Sequence, residues 1–217
     1  MADETPRAAL RRMLGHVAGK RVLELGCGPG EAAIGLAREG ATVIAIDSAA
    51  AHADAARAAA QEAEVRLEFH ATDLADLAFL RADSVDVAVS ADALAGLPDL
   101  DRVFRQVHRV LRTGGIFAFA LPHPMALCMP AEATPEGALP LTRPSLTRSY
   151  FDDGQVNRGT EAEPVTVYPH QIGTVFTSLQ RAGFRIDTLL EPEPPRGAAG
   201  RVLTPEAVLW RAKKEGV

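Results

Sequence analysis

No stretch of the sequence is apolar for the roughly twenty residues that a membrane-spanning helix requires. A membrane protein is therefore not expected. The opening residues, MADETPRAALRRM, mix charges around no long apolar centre, so they do not read as a secretory signal. Cysteine is scarce: Cys27 and Cys128 stand alone, without the spacing of a disulfide frame or a zinc site, which points to a reducing, cytoplasmic setting. Positive charge is also in short supply. Lys and Arg number 23 against 28 Asp and Glu, a net charge of −5, and no basic stripe stands out, so nucleic acid is not an expected partner. Internal repeats and coiled-coil heptads are missing as well. What remains is a chain of 217 residues, 47% hydrophobic and 24% charged, which suits a single globular domain spanning 1–217 with a sizeable core.

Hydrophobic patterning divides most of the chain into alternating strands and helices. Compact apolar runs at 21–25, 41–46, 65–69, 85–89, 116–120, 184–190 and 207–212 read as strands. Helical spacing marks 1–19, 31–38, a stretch to about Ala63 that Ser48 could cap, a short piece at 75–80, a helix opening at Asp99 or Asp101, and 170–182. Thr113-Gly114-Gly115 reads as the turn from helix into the fifth strand. Strands apolar on both faces and alternating with helices predict a seven-stranded, mostly parallel α/β sheet of Rossmann-like form, with helices on both faces. The last two strands have no helix between them, so a C-terminal antiparallel strand is expected. Residues 122–169 break the rhythm. This Pro-rich stretch is too long for a plain connection and reads as a substrate lid or binding element, or else as a disordered segment.

The chemistry centres on the segment VLELGCGPG, Val22 to Gly30. Gly26, Gly28 and Gly30 directly follow a buried strand and directly precede a helix. Without a Cβ, such a turn lets a ligand approach the backbone closely, and ligands of open parallel sheets bind at the carboxyl ends of the strands. Several cofactors share glycine-rich turns, a nicotinamide dinucleotide among them. Two details separate them. The spacing is G-x-G-x-G, not G-x-G-x-x-G, and Glu24 stands inside the strand just before the glycines. A carboxylate there repels a pyrophosphate and suits a ligand with positive charge.

The run E-L-G-C-G-P-G at 24–30 resembles the first motif of class I S-adenosylmethionine-dependent methyltransferases. The resemblance is close over residues 20–121. It implies that Glu24, Gly26, Cys27, Gly28 and Gly30 surround the cofactor, with Cys27 a small apolar residue in the turn. Asp47 and Ser48 correspond to the end of the second strand, where an acid chelates both ribose hydroxyls through two parallel hydrogen bonds; Asp47 alternatively caps a helix. Asp73 and Leu74 correspond to the residues that take the adenine amino group and pack on its ring. Ser90-Ala91-Asp92, after the fourth strand, falls where the family lines the methionine end, partly through backbone carbonyls. The implied cofactor is S-adenosylmethionine, with S-adenosylhomocysteine as product. The family's N/D-P-P-Y/F motif for DNA bases is missing, so the implied acceptor is a small molecule.

This chain departs from the family in two ways. Only about twenty residues precede the first strand, so closure over the cofactor falls to the 122–169 insertion or to a second subunit in a homodimer. The segment Ala93-Leu94-Ala95-Gly96-Leu97 is apolar where relatives often carry histidine. His123 and His170 are the candidate general bases, since a neutral imidazole takes a proton near neutral pH; the alternative is that each holds a turn. Tyr150, Phe151 and Tyr168 either wall an acceptor pocket or anchor a long loop. No metal is expected, Asp152-Asp153 being adjacent loop acids. A non-catalytic relative that binds the cofactor or its product, and a nicotinamide-dependent oxidoreductase, remain the alternatives.

Overall fold

The computed structural model describes residues 4–129, 146–159, 164–193 and 204–216. In chain order its strands are β1 (Arg21–Leu25), β2 (Thr42–Asp47), β3 (Leu67–Ala71), β4 (Val85–Ser90), β5 (Leu111–Pro122), β6 (Val156–Gly159), β7 (Pro164–Val167), β8 (Phe184–Leu190) and β9 (Ala207–Lys214). The helices are α1 (Pro6–Met13), α2 (Glu31–Arg38), α3 (Ala50–Glu62), α4 (Asp101–Val110), α5 (Pro124–Leu127) and α6 (Ile172–Arg181). Seven strands make one sheet in the order β3-β2-β1-β4-β5-β9-β8, and β6 and β7 form a separate antiparallel pair. β1 pairs in parallel with both β2 and β4, so the strand order reverses between β1 and β4. β9 is antiparallel to β5 and to β8. The expected C-terminal antiparallel strand is present, inserted between β5 and the edge strand.

Alternation along each central strand feeds two cores. Val22, Val43, Ala45 and Val89 face one side, packed with Leu10 and Leu14 at α1 and Ala33 and Leu36 of α2. Leu23, Ile44, Phe117 and Trp210 face the other, packed with Phe104 of α4 and Val175 of α6. This is why the strands read as continuous apolar runs: neither face meets water. The aromatic rings concentrate in the second core, where the Phe119 ring stands 5.4 Å from Phe104 and 6.1 Å from Trp210.

Three local expectations need correction. Residues 75–80 form successive turns, not a helix. Leu74, Leu77 and Leu80 are buried at a three-residue spacing that imitates a helical stripe. Asp73 and Asp76 draw the Ala75 and Ala78 amides into side-chain turns, and Arg109 takes the Leu77 and Leu80 carbonyls. Ser48 does not cap α3. Its N-cap position is Ala49, without a side-chain hydrogen bond, because the neighbouring Asp47 takes the Ala49 amide. Thr113-Gly115 does not separate α4 from β5 either. The strand begins at Leu111, the residue after the helix, and Gly114 (φ +79°) lies within it beside a shift of the β4–β5 register.

The 122–169 stretch is only partly described. Its described parts comprise α5, a turn-rich piece to Gln155, and the β6–β7 hairpin; the expectation for 130–145 and 160–163 lies outside the described residues. Just after β7 the Tyr168 amide donates to the Ala95 carbonyl at 2.8 Å, tying this strand pair to the short 3-10 turn Ala93–Gly96 that follows β4.

Candidate active site

The site lies where the sheet order reverses, at the carboxyl ends of β1 and β4. The loop after β1 turns through three left-handed residues, Gly26 (φ +77°), Gly28 (φ +51°) and Gly30 (φ +89°). Each glycine has its own reason. A Cβ on Gly26 would stand 1.9 Å from the Ala93 Cβ, and one on Gly30 would stand 2.9 Å from the Ala56 Cβ. At Gly28 a Cβ would meet no atom within 4 Å; it would project into open space.

The amides of this loop are turned inward. Gly26 and Cys27 both donate to the Ile46 carbonyl, at 2.8 and 3.0 Å, and Gly28 donates to Asp47 Oδ2 at 2.9 Å. A pyrophosphate-binding loop presents such amides to the ligand. Here they tie the loop to the end of β2, and Glu31 adds a carboxylate at the start of α2. Under the loop lies Glu24, 5% exposed, with Oε2 fully buried and without a hydrogen-bond partner. Burial pushes its carboxyl up to about 8, Asp47 adds to that, and Arg7 opposes it. An unpartnered buried carboxyl is costly unless something supplies a partner.

Asp47 carries the next set of bonds. Its Oδ1 accepts from the Ala49 amide at 2.9 Å and meets His52 Nδ1 at 3.1 Å. Burial raises its pKa, yet the Ala49 and Gly28 amides together with His52 hold it below the usual aspartate value. It is an acceptor at neutral pH, with carboxylate lone pairs still to offer. Cys27 is a buried thiol, pushed up to about 12 by burial and by the nearby Glu24 and Asp47, so it acts as a small apolar group.

Two hollows meet at this loop and a third adjoins them. A cleft of about 400 Å³ is lined by Glu24, Gly26, Cys27, Gly28, Asp47 and His52, among others. A hollow of about 280 Å³ continues from it, where Ser48, Asp73 and Leu74 join Gly26, Asp47 and Gly96. On the other side a chamber of about 450 Å³ opens towards Leu121 and Glu206. The cleft and the chamber share Arg7, Ala91, Asp92, Ala95, Val165 and Val167, which form a throat between them. Arg7 reaches across it to Asp92 at 3.1 Å and stands 3.9 Å from Glu31.

The structure thus brings eight of the ten cofactor-site residues expected from the sequence around the cleft and its continuation. Gly30 lines neither and is packed against Ala56. Ser90 does not line it either: it is fully buried and donates its hydroxyl to the Leu25 carbonyl at 2.9 Å, joining the ends of β1 and β4. Sequence reading missed Arg7, His52 and the individual hairpin residues Val165–Val167; the segment Ser90-Ala91-Asp92 was expected at the methionine end, and Asp92 does line the cleft. His52 had a signal, five residues after Asp47 at the start of a helix. Cover over the cleft comes from α1, through Arg7, and from the β7 strand of the insertion.

The two candidate bases are both buried and neither lines the cleft or the chamber. His123 is the N-cap of α5. Its Nδ1 accepts from the Met125 amide at 3.2 Å, which places the proton on Nε2, 2.8 Å from Glu191 Oε1. His170 lies just before α6, and its Nε2 donates to the Leu97 carbonyl at 2.9 Å. Burial lowers its pKa, only partly offset by the Leu97 bond and Asp99. We expect the His170 ring, followed by NMR, to stay neutral on acidification past pH 6.5; a midpoint above 6.5 would contradict this burial. Tyr150 and Phe151 line a separate surface hollow beside α6 with Gln171 and Arg181, and Phe151 is 80% exposed. Tyr168 is half-buried next to the hairpin. Among the described residues no three His, Cys, Asp or Glu side chains gather as a metal site requires, and no helix is long and apolar enough to cross a membrane.

Known proteins are similar to this chain in sequence and fold. Residues 23–119 match the methyltransferase domain family. The ubiquinone biosynthesis O-methyltransferase of Pseudomonas syringae pv. tomato is 34% identical over 105 residues, covering 48% of this chain and 45% of that protein. That of Hahella chejuensis is 35% identical over 102 residues, covering 47% and 43%. The chain therefore matches less than half the length of these relatives. A S-adenosylmethionine-dependent methyltransferase from Mesorhizobium loti superposes with a TM-score of 0.78 at 29% identity, covering 96% of this chain and 98% of that one. A [4+2]-cyclase shares the fold alone, with a TM-score of 0.68 at 17% identity, covering 100% and 87%.

Proposed function

We propose that this chain, a class I S-adenosylmethionine-dependent methyltransferase by its domain, transfers the methyl group of that cofactor to a small molecule by in-line displacement. One observation carries the reading: the unpartnered carboxyl of Glu24 lies buried beneath a glycine loop whose amides face inward. Such a cradle fits a cationic ligand and not a pyrophosphate, which also argues against a nicotinamide cofactor. When bound, S-adenosylmethionine supplies a methyl group already activated on a sulfonium. Glu24 would face its cationic methionine end, Gly28 would give it room, and Asp47 would accept from its ribose. Asp73 and Leu74 line the continuation of the cleft and would hold its adenine.

The chain's own task is then alignment. The throat between Arg7, Asp92, Ala95 and Val167 would hold the nucleophile in line. Positioning alone contributes several kcal/mol, with an upper range of about 7–11. A proton on the acceptor needs a destination. Of the two histidines, His170 keeps Nδ1 without a hydrogen-bond partner among the described residues, so we assign it any relayed role, and His123 the role of a cap. The described parts of 122–169 act as a lid through the β6–β7 hairpin. The confined chamber and the net charge of −5 support a small acceptor over nucleic acid, and the two buried free thiols support a cytoplasmic setting.

Asp47→Asn is expected to weaken S-adenosylhomocysteine binding about tenfold, as loss of a charge-assisted hydrogen bond does. Isothermal calorimetry measures it; an unchanged affinity would remove Asp47 from the cofactor site. The reaction itself is tested with methyl-labelled cofactor and fractionated metabolites. Label in one small molecule is the expected result. Binding without any transfer favours the second reading, a non-catalytic relative, which the distance of both histidines from the chamber keeps in view.

A further inference from the structure

Asp47 has less to offer a ribose than its position suggests. A carboxylate has about four acceptor positions, two on each oxygen. Oδ1 is filled, by the Ala49 amide at 2.9 Å and by His52 Nδ1 at 3.1 Å. Oδ2 already takes the Gly28 amide at 2.9 Å, so only this oxygen has a position open. The family resemblance implies an acid that holds both ribose hydroxyls, and here the acid has room for one. A second hydroxyl left in the cleft without an acceptor forfeits a hydrogen bond that it makes in water.

A further acceptor stands on the helix that follows. His52, in the first turn of α3, lines the same cleft as Asp47, Gly26 and Gly28, with its side chain half-exposed. Asp47 is ionised at neutral pH, so Nδ1 is the donor in the bond between them. In the neutral ring the lone pair is then on Nε2. Nε2 has no hydrogen-bond partner among the described residues.

We propose that His52 is a second ribose-holding residue, its Nε2 accepting from one hydroxyl of the cofactor while Asp47 Oδ2 accepts from the other. This rests on the S-adenosylmethionine reading above. The two acceptors lie five residues apart and are joined by the Nδ1–Oδ1 bond, so each fixes the orientation of the other. Such a pair selects an intact cis-diol. A sugar lacking either hydroxyl leaves one acceptor unmet, and a sugar carrying a 2′-phosphate brings an anion against Asp47.

Two substitutions separate the ring nitrogens. His52→Asn puts an amide N–H near the place of Nδ1, which keeps the bond to Asp47, and has no atom at the place of Nε2. His52→Ala removes both. The side chain is half-exposed and alanine suits a helix, so the variants fold. Calorimetry with S-adenosylhomocysteine and with its 2′-deoxy and 3′-deoxy forms tests the assignment. The wild type is expected to bind each deoxy form about fivefold more weakly than the parent. In His52→Asn the parent weakens about fivefold, one of the two deoxy penalties disappears and the other remains. His52→Ala, which also frees the Asp47 carboxylate, weakens the parent about tenfold. A merely structural His52 would weaken all three ligands alike. Deoxy penalties that are the same in His52→Asn as in the wild type, or an unchanged parent affinity in His52→Ala, overturn the assignment while the cofactor reading stands. Failure of the wild type to bind S-adenosylhomocysteine at all overturns both.

Discussion

Gly26→Ala lowers the stability of the fold by about 2–5 kcal/mol and abolishes cofactor binding. Two costs combine. A left-handed φ of +77° costs an alanine about 1–2 kcal/mol. The new methyl group would also stand 1.9 Å from the Ala93 Cβ, and Ala93 has no rotatable side chain with which to yield. Forcing a methyl into such a contact typically costs a further 1–3 kcal/mol. For a chain of this size the melting temperature falls by about 10 °C. A double-mutant cycle separates the two costs. Ala93→Gly removes the clash but not the backbone strain, so the pair Gly26→Ala/Ala93→Gly recovers about half of the loss. Full stability in the single variant, or no recovery in the pair, would show that the loop is not held against the segment after β4. Gly28→Ala meets no atom and should cost the fold only its backbone strain, while still projecting into the cleft.

The second large effect concerns Glu24 and pH. Its folded pKa of about 8 stands well above the ordinary carboxylate value of 4.5. Between those two values the folded state binds more protons than the unfolded state. Stability is therefore fully present below about pH 4.5 and falls as pH rises through about 8, where both states become ionised. Glu24→Gln removes that slope. The variant melts near the wild type at pH 5 and clearly above it at pH 8.5, by thermal denaturation across the range. Cofactor binding carries the opposite preference. A cationic ligand beside Glu24 favours the ionised form, so binding at pH 7 releases close to one proton, and affinity rises with pH up to about 8. Calorimetry in buffers of different ionisation enthalpy reads the release directly. Glu24→Gln should release none and bind at least tenfold more weakly, since a charged hydrogen bond is lost. A wild-type melting temperature that rises from pH 5 to 8.5 relative to the variant would contradict the burial of an unpartnered carboxyl.

Much of this was legible in the sequence, for reasons specific to each element. β1, β2, β4 and β5 announce themselves because both faces of the sheet are covered, which leaves uninterrupted apolar runs. The inserted antiparallel β9 was legible because no helix separates it from β8. Glu24, the three glycines, Asp47 and Asp73 lie within local segments that resemble the methyltransferase motifs, and it is that resemblance that singled them out. What stayed hidden depends on contacts distant in the chain. Arg7 and Asp92 meet across 85 residues, and nothing near either announces the pair. His123 and His170 looked alike in sequence, but Glu191 and the Leu97 carbonyl, 68 and 73 residues away, fix one as a cap and leave the other half engaged. The turn-rich stretch at 75–80 imitated a helix because three leucines fall at a spacing shared by turns and helices, and only Arg109, from α4, shows which one forms.

The central claim is that the cradle of Glu24, the inward-facing glycine loop and Asp47 holds a cationic adenosyl cofactor. Isothermal calorimetry of the purified protein with S-adenosylhomocysteine, and in parallel with a nicotinamide dinucleotide, tests it most directly. The account predicts saturable one-site binding of S-adenosylhomocysteine, weakened in Asp47→Asn, and no binding of the dinucleotide. Saturable binding of the dinucleotide with none of S-adenosylhomocysteine would contradict it.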